Sequence, residues 1–360
     1  MATLGPEASL PPSRQLVIRA DASPVIGGGH VQRCSTLAVY LASRGWRCAL
    51  AGRTGSDQVV PFADGIEFLA LDSTEADELA ALRRRWPDGI ELLIVDHYAL
   101  AAPWEAECRA WARHIIVIDD LANRPHACDL LLDQTIAHDE AAYRRLVPAD
   151  CRLLLGPRFA LLRPEFQCLR GEALRRRQAP GRHLLINFGA VDPLGIGGQI
   201  LMVLADSGRA FDLDLVCGAD TPQTESLRAL ASRMSGNVLV HGRVEQMADL
   251  MLRADLAIGA GGSASWERCA LSLPSLLLVL SGDQAPIVDA LAKAGAAVNL
   301  GLFDPDSVQA VVRRTVSLLN DPALRITMAS RAATICDAMG AERVVESIEQ
   351  LVNEGIGHHG

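Results

Sequence analysis

Aromatic side chains make up only 4% of this 360-residue chain, which leaves little material for single-strand stacking platforms, aromatic sugar-binding surfaces or membrane-interface belts. A basic surplus is also missing, since 34 Lys and Arg stand against 43 Asp and Glu for a net charge of −9. That balance argues against a protein whose main business is gripping nucleic-acid phosphates, and leaves room only for a small local anion site. The nine cysteines contain no CxxC pair, their closest spacing being Cys34 to Cys48, which counts against zinc fingers and thioredoxin-like sites. Scattered and odd in number, they read as buried, reduced thiols of a cytosolic protein. The longest apolar stretches, such as Leu276 to Leu280, fall far short of the ~20 residues of a membrane span. The opening MATLGPEASLPPSR has no apolar core to serve as a secretory signal and reads as a loose leader, with Asn353 to Gly360 as a frayed tail.

What the chain does have is 49% hydrophobic and 21% charged residues, ordinary for a soluble globular protein, over a length that suits two domains. Short apolar runs alternate with helical patterns, the mark of stacked βα units and a parallel sheet. Strands are expected at Gln15–Ala20, Arg47–Ala51, Glu67–Leu71, Leu92–Asp96, Ile115–Asp119 and Leu130–Asp133. Between them, Cys34, Leu37 and Leu41 share one helical face, as do Leu79, Leu82 and Trp86. The segment Leu153–Phe166 and the charged stretch after it read as an interdomain connection. A second series follows, at His183–Phe188, Leu213–Cys217, Val238–His241, Leu256–Gly259, Ser275–Leu280 and Ala297–Leu300, and then a helical tail from Asp306 to Val352. Both halves open with a strand running into a glycine-containing loop and a helix, LVIRADASPVIGGGH and LLINFGAVDPLGIGG. The expectation is α/β, two similar doubly wound domains facing one another across a cleft. The boundaries drawn are a leader at 1–14, an N-terminal domain at 15–165, a linker at 166–181, a C-terminal domain at 182–335, and a helix and tail at 336–360.

The chemistry gathers where such sheets place ligands, at strand C-termini. Ile26-Gly27-Gly28-Gly29-His30 follows the first strand and opens a helix. Glycines there let backbone amides approach an anion, and the helix N-terminus adds a favourable dipole, which suits a diphosphate. The loop matches neither GxGxxG nor a P-loop, and a tight turn that needs glycine for steric reasons remains an alternative. His30 stands where loop becomes helix, where the dipole favours the neutral imidazole and keeps it available as a general base; a simple capping role is the alternative. Arg19, Asp21 and Arg33 lie nearby in sequence. Asp96-His97-Tyr98 and Asp119-Asp120 end two further strands. Paired carboxylates invite a metal, but no compact ligand set completes a shell, and turn capping is favoured for at least one of Asp119 and Asp120. In the second half, Ala260-Gly261-Gly262-Ser263 leads into a helix carrying Glu267, which suits amides at a diphosphate and a carboxylate at a ribose diol. Gly282-Asp283-Gln284 offers groups for sugar hydroxyls, or a solvated turn.

Together these blocks, RADASPVIGGGHVQRCSTLA, IVDHYAL, VIDDLANRPHACDLLLDQ, LLGPRFALLRPEF and GAGGSASWERCALSLPSLLLVLSGDQ, resemble the UDP-sugar hydrolases of pseudaminic acid biosynthesis. Those enzymes cleave UDP-2,4-diacetamido-2,4,6-trideoxy-β-L-altropyranose to the free sugar and UDP. The blocks run in order from about Leu16 to Gln284. The resemblance implies the two-domain Rossmann-like fold of type B glycosyltransferases, similar to the transferase that makes lipid II, with no metal and no cofactor. It implies His30 as catalytic base and Tyr98 at the sugar end of the cleft. It also implies Glu267 on the ribose hydroxyls and Gly262 and Ser263 near the phosphates. Arg19, Asp21, Gly28, Gly29, Arg33, Gly189, Asp283 and Gln284 complete the expected substrate-binding set. Differences from the family pattern fall at Gln32, at Asn187, Ala190 and Val191, and at Asp283. The implied reaction is water attack at the anomeric carbon with inversion, in a cytoplasmic protein whose partners are the UDP-sugar and UDP. A transferase of the same fold and a non-catalytic nucleotide-sugar-binding protein are the alternatives.

Overall fold

In the computed structural model, which describes residues 14–23, 28–56, 65–71, 75–179, 181–189 and 192–357, two parallel sheets are wound from the two halves of the chain. The first contains β1 (Gln15–Ala20), β2 (Arg47–Arg53), β3 (Glu67–Leu71), β4 (Ile90–Asp96), β5 (Ala112–Ile118), β6 (Leu130–Asp133) and β7 (Arg152–Leu155). Their spatial order is β3-β2-β1-β4-β5-β6-β7, so the winding reverses between β1 and β4. The second sheet contains β8 (His183–Asn187), β9 (Phe211–Val216), β10 (Gly236–His241), β11 (Leu256–Ala260), β12 (Ser275–Val279) and β13 (Ala297–Leu302). Here the order is β10-β9-β8-β11-β12-β13, with the reversal between β8 and β11. These are the two Rossmann-like domains expected. A ligand crevice belongs at each reversal, where the loops leaving neighbouring strands diverge to opposite faces.

The strands read as continuous apolar runs because both faces of each sheet are covered. In β1, Leu16 and Ile18 pack on one face with Leu92, Ile94, Ile116 and Ile118. Val17 packs on the other with Leu93, Val95, Ile115 and Val117. The first face is covered by α1 (Gly29–Ser43), through Val31, Cys34, Leu37, Ala38 and Leu41, and by the helix Gly340–Gly357, through Val344, Val345, Ile348 and Val352. The opposite face is covered by Leu79, Leu82, Trp86 and Trp104. The last helix thus returns from the second half of the chain to complete the core of the first.

Three segments differ from expectation. β7 overlaps the start of the stretch read as a connection; it pairs with β6 in the register Leu130↔Arg152 to Asp133↔Leu155, so pairing makes it a strand. Residues 166–181 begin inside the helix Pro164–Arg176, whose Phe166 and Ala173 are buried in the second core. The final helix runs to Gly357, through much of the expected tail. All nine cysteines are unpaired, and seven are buried, Cys168 being exposed and Cys217 half-buried. The leader residues 1–13, together with Gly27, Ala190 and Val191, lie outside the described residues. Among the described residues, no helix is long and apolar enough to cross a membrane.

Candidate active site

Between the lobes lies a cleft of about 660 Å³, lined by residues of both. Gly28, Gly29, His30 and Arg33 from the start of α1 face it, with Tyr98 and Asp120 from the loops after β4 and β5. Gly189, Gly262, Ser263, Glu267, Asp283 and Gln284 face it from the second lobe. The two glycine turns approach each other closely: a Cβ added at Gly29 would lie 3.4 Å from the Ser263 hydroxyl oxygen. Glycine does different work at neighbouring positions of the second turn. A Cβ at Gly261 would meet Val288 Cγ2 at 2.3 Å, so packing against the helix behind excludes a side chain there. At Gly262 a Cβ would meet nothing within 4 Å, and the backbone stands open.

On the first lobe, His30 Nδ1 lies 2.6 Å from Asp96 Oδ1. Arg33 donates from Nε to Asp96 Oδ2 and from Nη2 to Asp96 Oδ1, both at 2.6 Å, and from Nη1 to Asp120 Oδ2 at 3.0 Å. Burial works against the Asp96 carboxylate, but the Arg33 guanidinium and His30 outweigh it and hold Asp96 well below the usual carboxylate range. An ionised carboxylate offers only acceptors, so the short contact places the hydrogen on His30 Nδ1 and leaves the Nε2 lone pair free. The Tyr98 ring meets the His30 ring edge-on, centroids 4.7 Å apart at 86°. Burial first, and then the charge of Asp120, push the Tyr98 hydroxyl far up, and Asp283 of the second lobe adds to the shift. Tyr98 therefore stays protonated and able to donate.

Two expected residues do not reach the cleft. Arg19 is fully buried and donates to Asp21 and Glu78. Asp21 also accepts from Arg53 N at 2.8 Å and pairs with His97 Nε2 at 3.1 Å. These two residues brace the loop that carries Tyr98. Arg33 does line the cleft, but its three guanidinium nitrogens are engaged with Asp96 and Asp120, which makes it an internal counter-ion. Asp119 takes the capping role, accepting from Leu121 N and Ala122 N and pairing with Arg124, while Asp120 faces the cleft. Among the described residues no group of His, Cys, Asp and Glu is arranged to hold a metal.

In the second lobe, Glu267 sits in the first turn of the helix Ala264–Ala270. Burial raises its carboxyl while Arg163, 3.8 Å away, opposes that rise. Gln284 lines the cleft and also accepts from Leu280 N at 3.1 Å, and Asn187 bonds Gly189 in both directions. Sequence reasoning missed Gln134, Thr135, Arg163, Arg243 and Arg268 as cleft residues. Gln134, Arg163 and Arg268 lie inside the blocks that carry the resemblance, but nothing in the local pattern singles them out. Thr135 and Arg243 lie in no block, and Arg163 also stands in the segment read as a connection. Asp96 was legible only as a neighbour of Tyr98.

No family model matches the chain. The chain is 25% identical over 281 residues to the UDP-2,4-diacetamido-2,4,6-trideoxy-beta-L-altropyranose hydrolase of Campylobacter jejuni, covering 78% of this chain and 97% of that protein. It is 26% identical over 218 residues to the spore coat polysaccharide biosynthesis protein SpsG of Bacillus subtilis, covering 59% of this chain and 62% of that protein. The resemblance to the hydrolase thus extends along most of the chain, whereas the match spans less than two thirds of the spore coat protein. Among solved structures, MurG of Acinetobacter baumannii shares the fold with a TM-score of 0.66 at 15% identity, over 94% of this chain and 99% of that one.

Proposed function

We propose that this protein hydrolyses a UDP-linked 2,4-diacetamido-2,4,6-trideoxy sugar, of the β-L-altropyranose type, to UDP and the free sugar. The observation that carries the reading is the His30 imidazole in the cleft, with Nδ1 committed to Asp96 and Nε2 left to accept a proton. The similarity to the Campylobacter hydrolase, over 78% of this chain and 97% of that protein, supports it.

In this reading a water oxygen attacks the anomeric carbon as the bond from that carbon to the diphosphate oxygen breaks. His30 Nε2 takes the water proton, and Asp96 stabilises the imidazolium that results. The electron pair of the broken bond leaves with UDP, already a good leaving group. Backbone amides of the two glycine turns and the start of α1 receive the developing phosphate charge. No dedicated protein acid is required, unlike in glycosidases with poorer leaving groups. Attack from the face opposite UDP inverts the anomeric configuration. Tyr98, Asp283 and Gln284 lie toward the sugar, and Glu267 toward the ribose diol, with residues 15–165 and 182–335 as the two domains around the site. The reaction is proposed to need no metal.

The test is incubation with the 2,4-diacetamido UDP-sugar in EDTA, following UDP and free sugar by NMR. Release of both without an acceptor is expected, with label from ¹⁸O-water in the sugar. Label in UDP would mean attack at phosphorus, UDP release only on adding an acceptor would mean a transferase, and binding without turnover a sensor. His30→Asn should reduce turnover by at least ~10²-fold while leaving UDP affinity near that of the wild type. A near-normal rate in that variant removes His30 as the base.

A further inference from the structure

Four arginines line the cleft among the described residues, Arg33, Arg163, Arg243 and Arg268, with no lysine beside them. Arg33 is neutralised by Asp96 and Asp120. Arg163 is neutralised by Glu165 at 3.1 Å and Glu267 at 3.8 Å. The other two have no carboxylate partner among the described residues. We propose that Arg268 and Arg243 are the counter-charge for the diphosphate of the bound nucleotide, Arg268 from beneath the Ala260–Ser263 turn and Arg243 as an arm from the β10 side. This rests on the reading of the cleft as a UDP-sugar site and names residues within it.

Arg268 is 2% exposed. Its Nη2 donates to Ala260 O at 2.7 Å and to Ser265 Oγ at 3.0 Å, while its buried Nε has no partner. A Cβ at Gly259 would lie 2.8 Å from Nη1 and 2.5 Å from Asn187 O. The guanidinium therefore occupies the junction between the ends of β8 and β11, where the winding of the second sheet reverses. A cation held there with no anion of its own is costly unless one arrives. Burial lowers Arg268 only to about 10, so it is charged at neutral pH. Glu267, next to it in sequence, is turned to Arg163. Arg243 follows β10, is exposed, and makes no ion pair or side-chain hydrogen bond among the described residues. Of the cleft carboxylates, Asp120 faces Arg33, Glu165 and Glu267 face Arg163 and Asp283 acts on Tyr98, and none makes an ion pair with Arg243 or Arg268 among the described residues. Glu245 gives its backbone carbonyl to Arg163.

The experiment is calorimetric titration of wild type, Arg243→Ala and Arg268→Lys with UDP and with uridine, at low and at moderate salt. Arg243→Ala, an exposed substitution that leaves packing intact, is expected to weaken UDP about 10-fold with uridine unchanged, and to flatten the salt dependence of UDP binding. Arg268→Lys, which keeps the charge without the planar fork, is expected to weaken UDP alone, and its circular dichroism shows whether it has folded. UDP binding to Arg243→Ala equal to that of wild type, or equal losses for UDP and uridine, overturns the assignment while leaving the UDP site standing. Wild-type protein that binds neither ligand overturns the UDP-site reading and this assignment with it.

Discussion

Asp96 orients His30 by a single short contact, and this residue is the sharpest place to separate positioning from structure. In Asp96→Asn the amide can hold either its oxygen or its NH₂ toward Nδ1, so the tautomer with a free Nε2 is no longer imposed. Turnover should fall about 10²-fold with UDP affinity nearly unchanged. The check is kcat and UDP affinity measured beside the urea midpoint, because the variant also removes a partner of buried Arg33. Loss of UDP binding in proportion to loss of stability would show a purely structural carboxylate. His30 and Tyr98 were legible because both stand where a strand or helix end is evident from local pattern. Arg19 and Asp21 misled for a reason that period-two geometry explains. Leu16 and Ile18 face α1 while Val17 packs on the opposite face, so Arg19 shares the Val17 face. There it meets Glu78 of the helix Glu75–Arg85 and does not line the cleft.

At the scale of elements, the loop between β5 and β6 is anchored by His126. Its Nδ1 pairs with Glu105 Oε1 at 2.7 Å, and Asp119 Oδ1 lies 3.8 Å from Nε2. Burial lowers the imidazole, but the nearby Asp119 carboxylate and the hydrogen-bonded Glu105 outweigh it and hold His126 up to about 8, against an ordinary value of 6.5. A group raised on folding contributes stability that is complete below its unfolded value and is lost as pH rises through the folded one. The His126 contribution, on the order of 2 kcal/mol, is therefore present at pH 6 and gone by pH 9. Urea unfolding of wild type and His126→Gln at those two pH values checks this, with the difference between the proteins expected to shrink at the higher pH. No sequence pattern announced the pairing, since Glu105 and His126 meet only after β5, the strand between them, has aligned in the sheet. β7 was missed for a related reason: four residues beside prolines carry too weak a periodicity, and only the β6 edge makes them a strand. The Gly261-Gly262 turn was visible as a turn, but the division of labour within it depends on Val288.

Across the whole molecule, the chain closes on itself through its last helix. Ile348 is fully buried among Leu37, Leu41, Ile18 and their neighbours, although its helix follows the second sheet in sequence. Ile348→Ala should cost about 3 kcal/mol in unfolding free energy, read as a lower urea midpoint, while UDP affinity in the folded protein stays unchanged. A midpoint equal to that of wild type would mean that the helix contributes little to the first core. The fold class, both sheets and twelve of the thirteen strands follow from the linear pattern of apolar runs and glycine loops, because two-sided burial writes itself into the central strands. A net charge of −9 argues against a broad anion-binding surface. Whether one glycine turn faces the other, which arginines keep a free charge and which carboxylate holds His30 were decided by tertiary structure alone. Those relations join residues up to 234 positions apart, such as Gly29 and Ser263, and local propensity carries no record of what a side chain will meet once two sheets face each other.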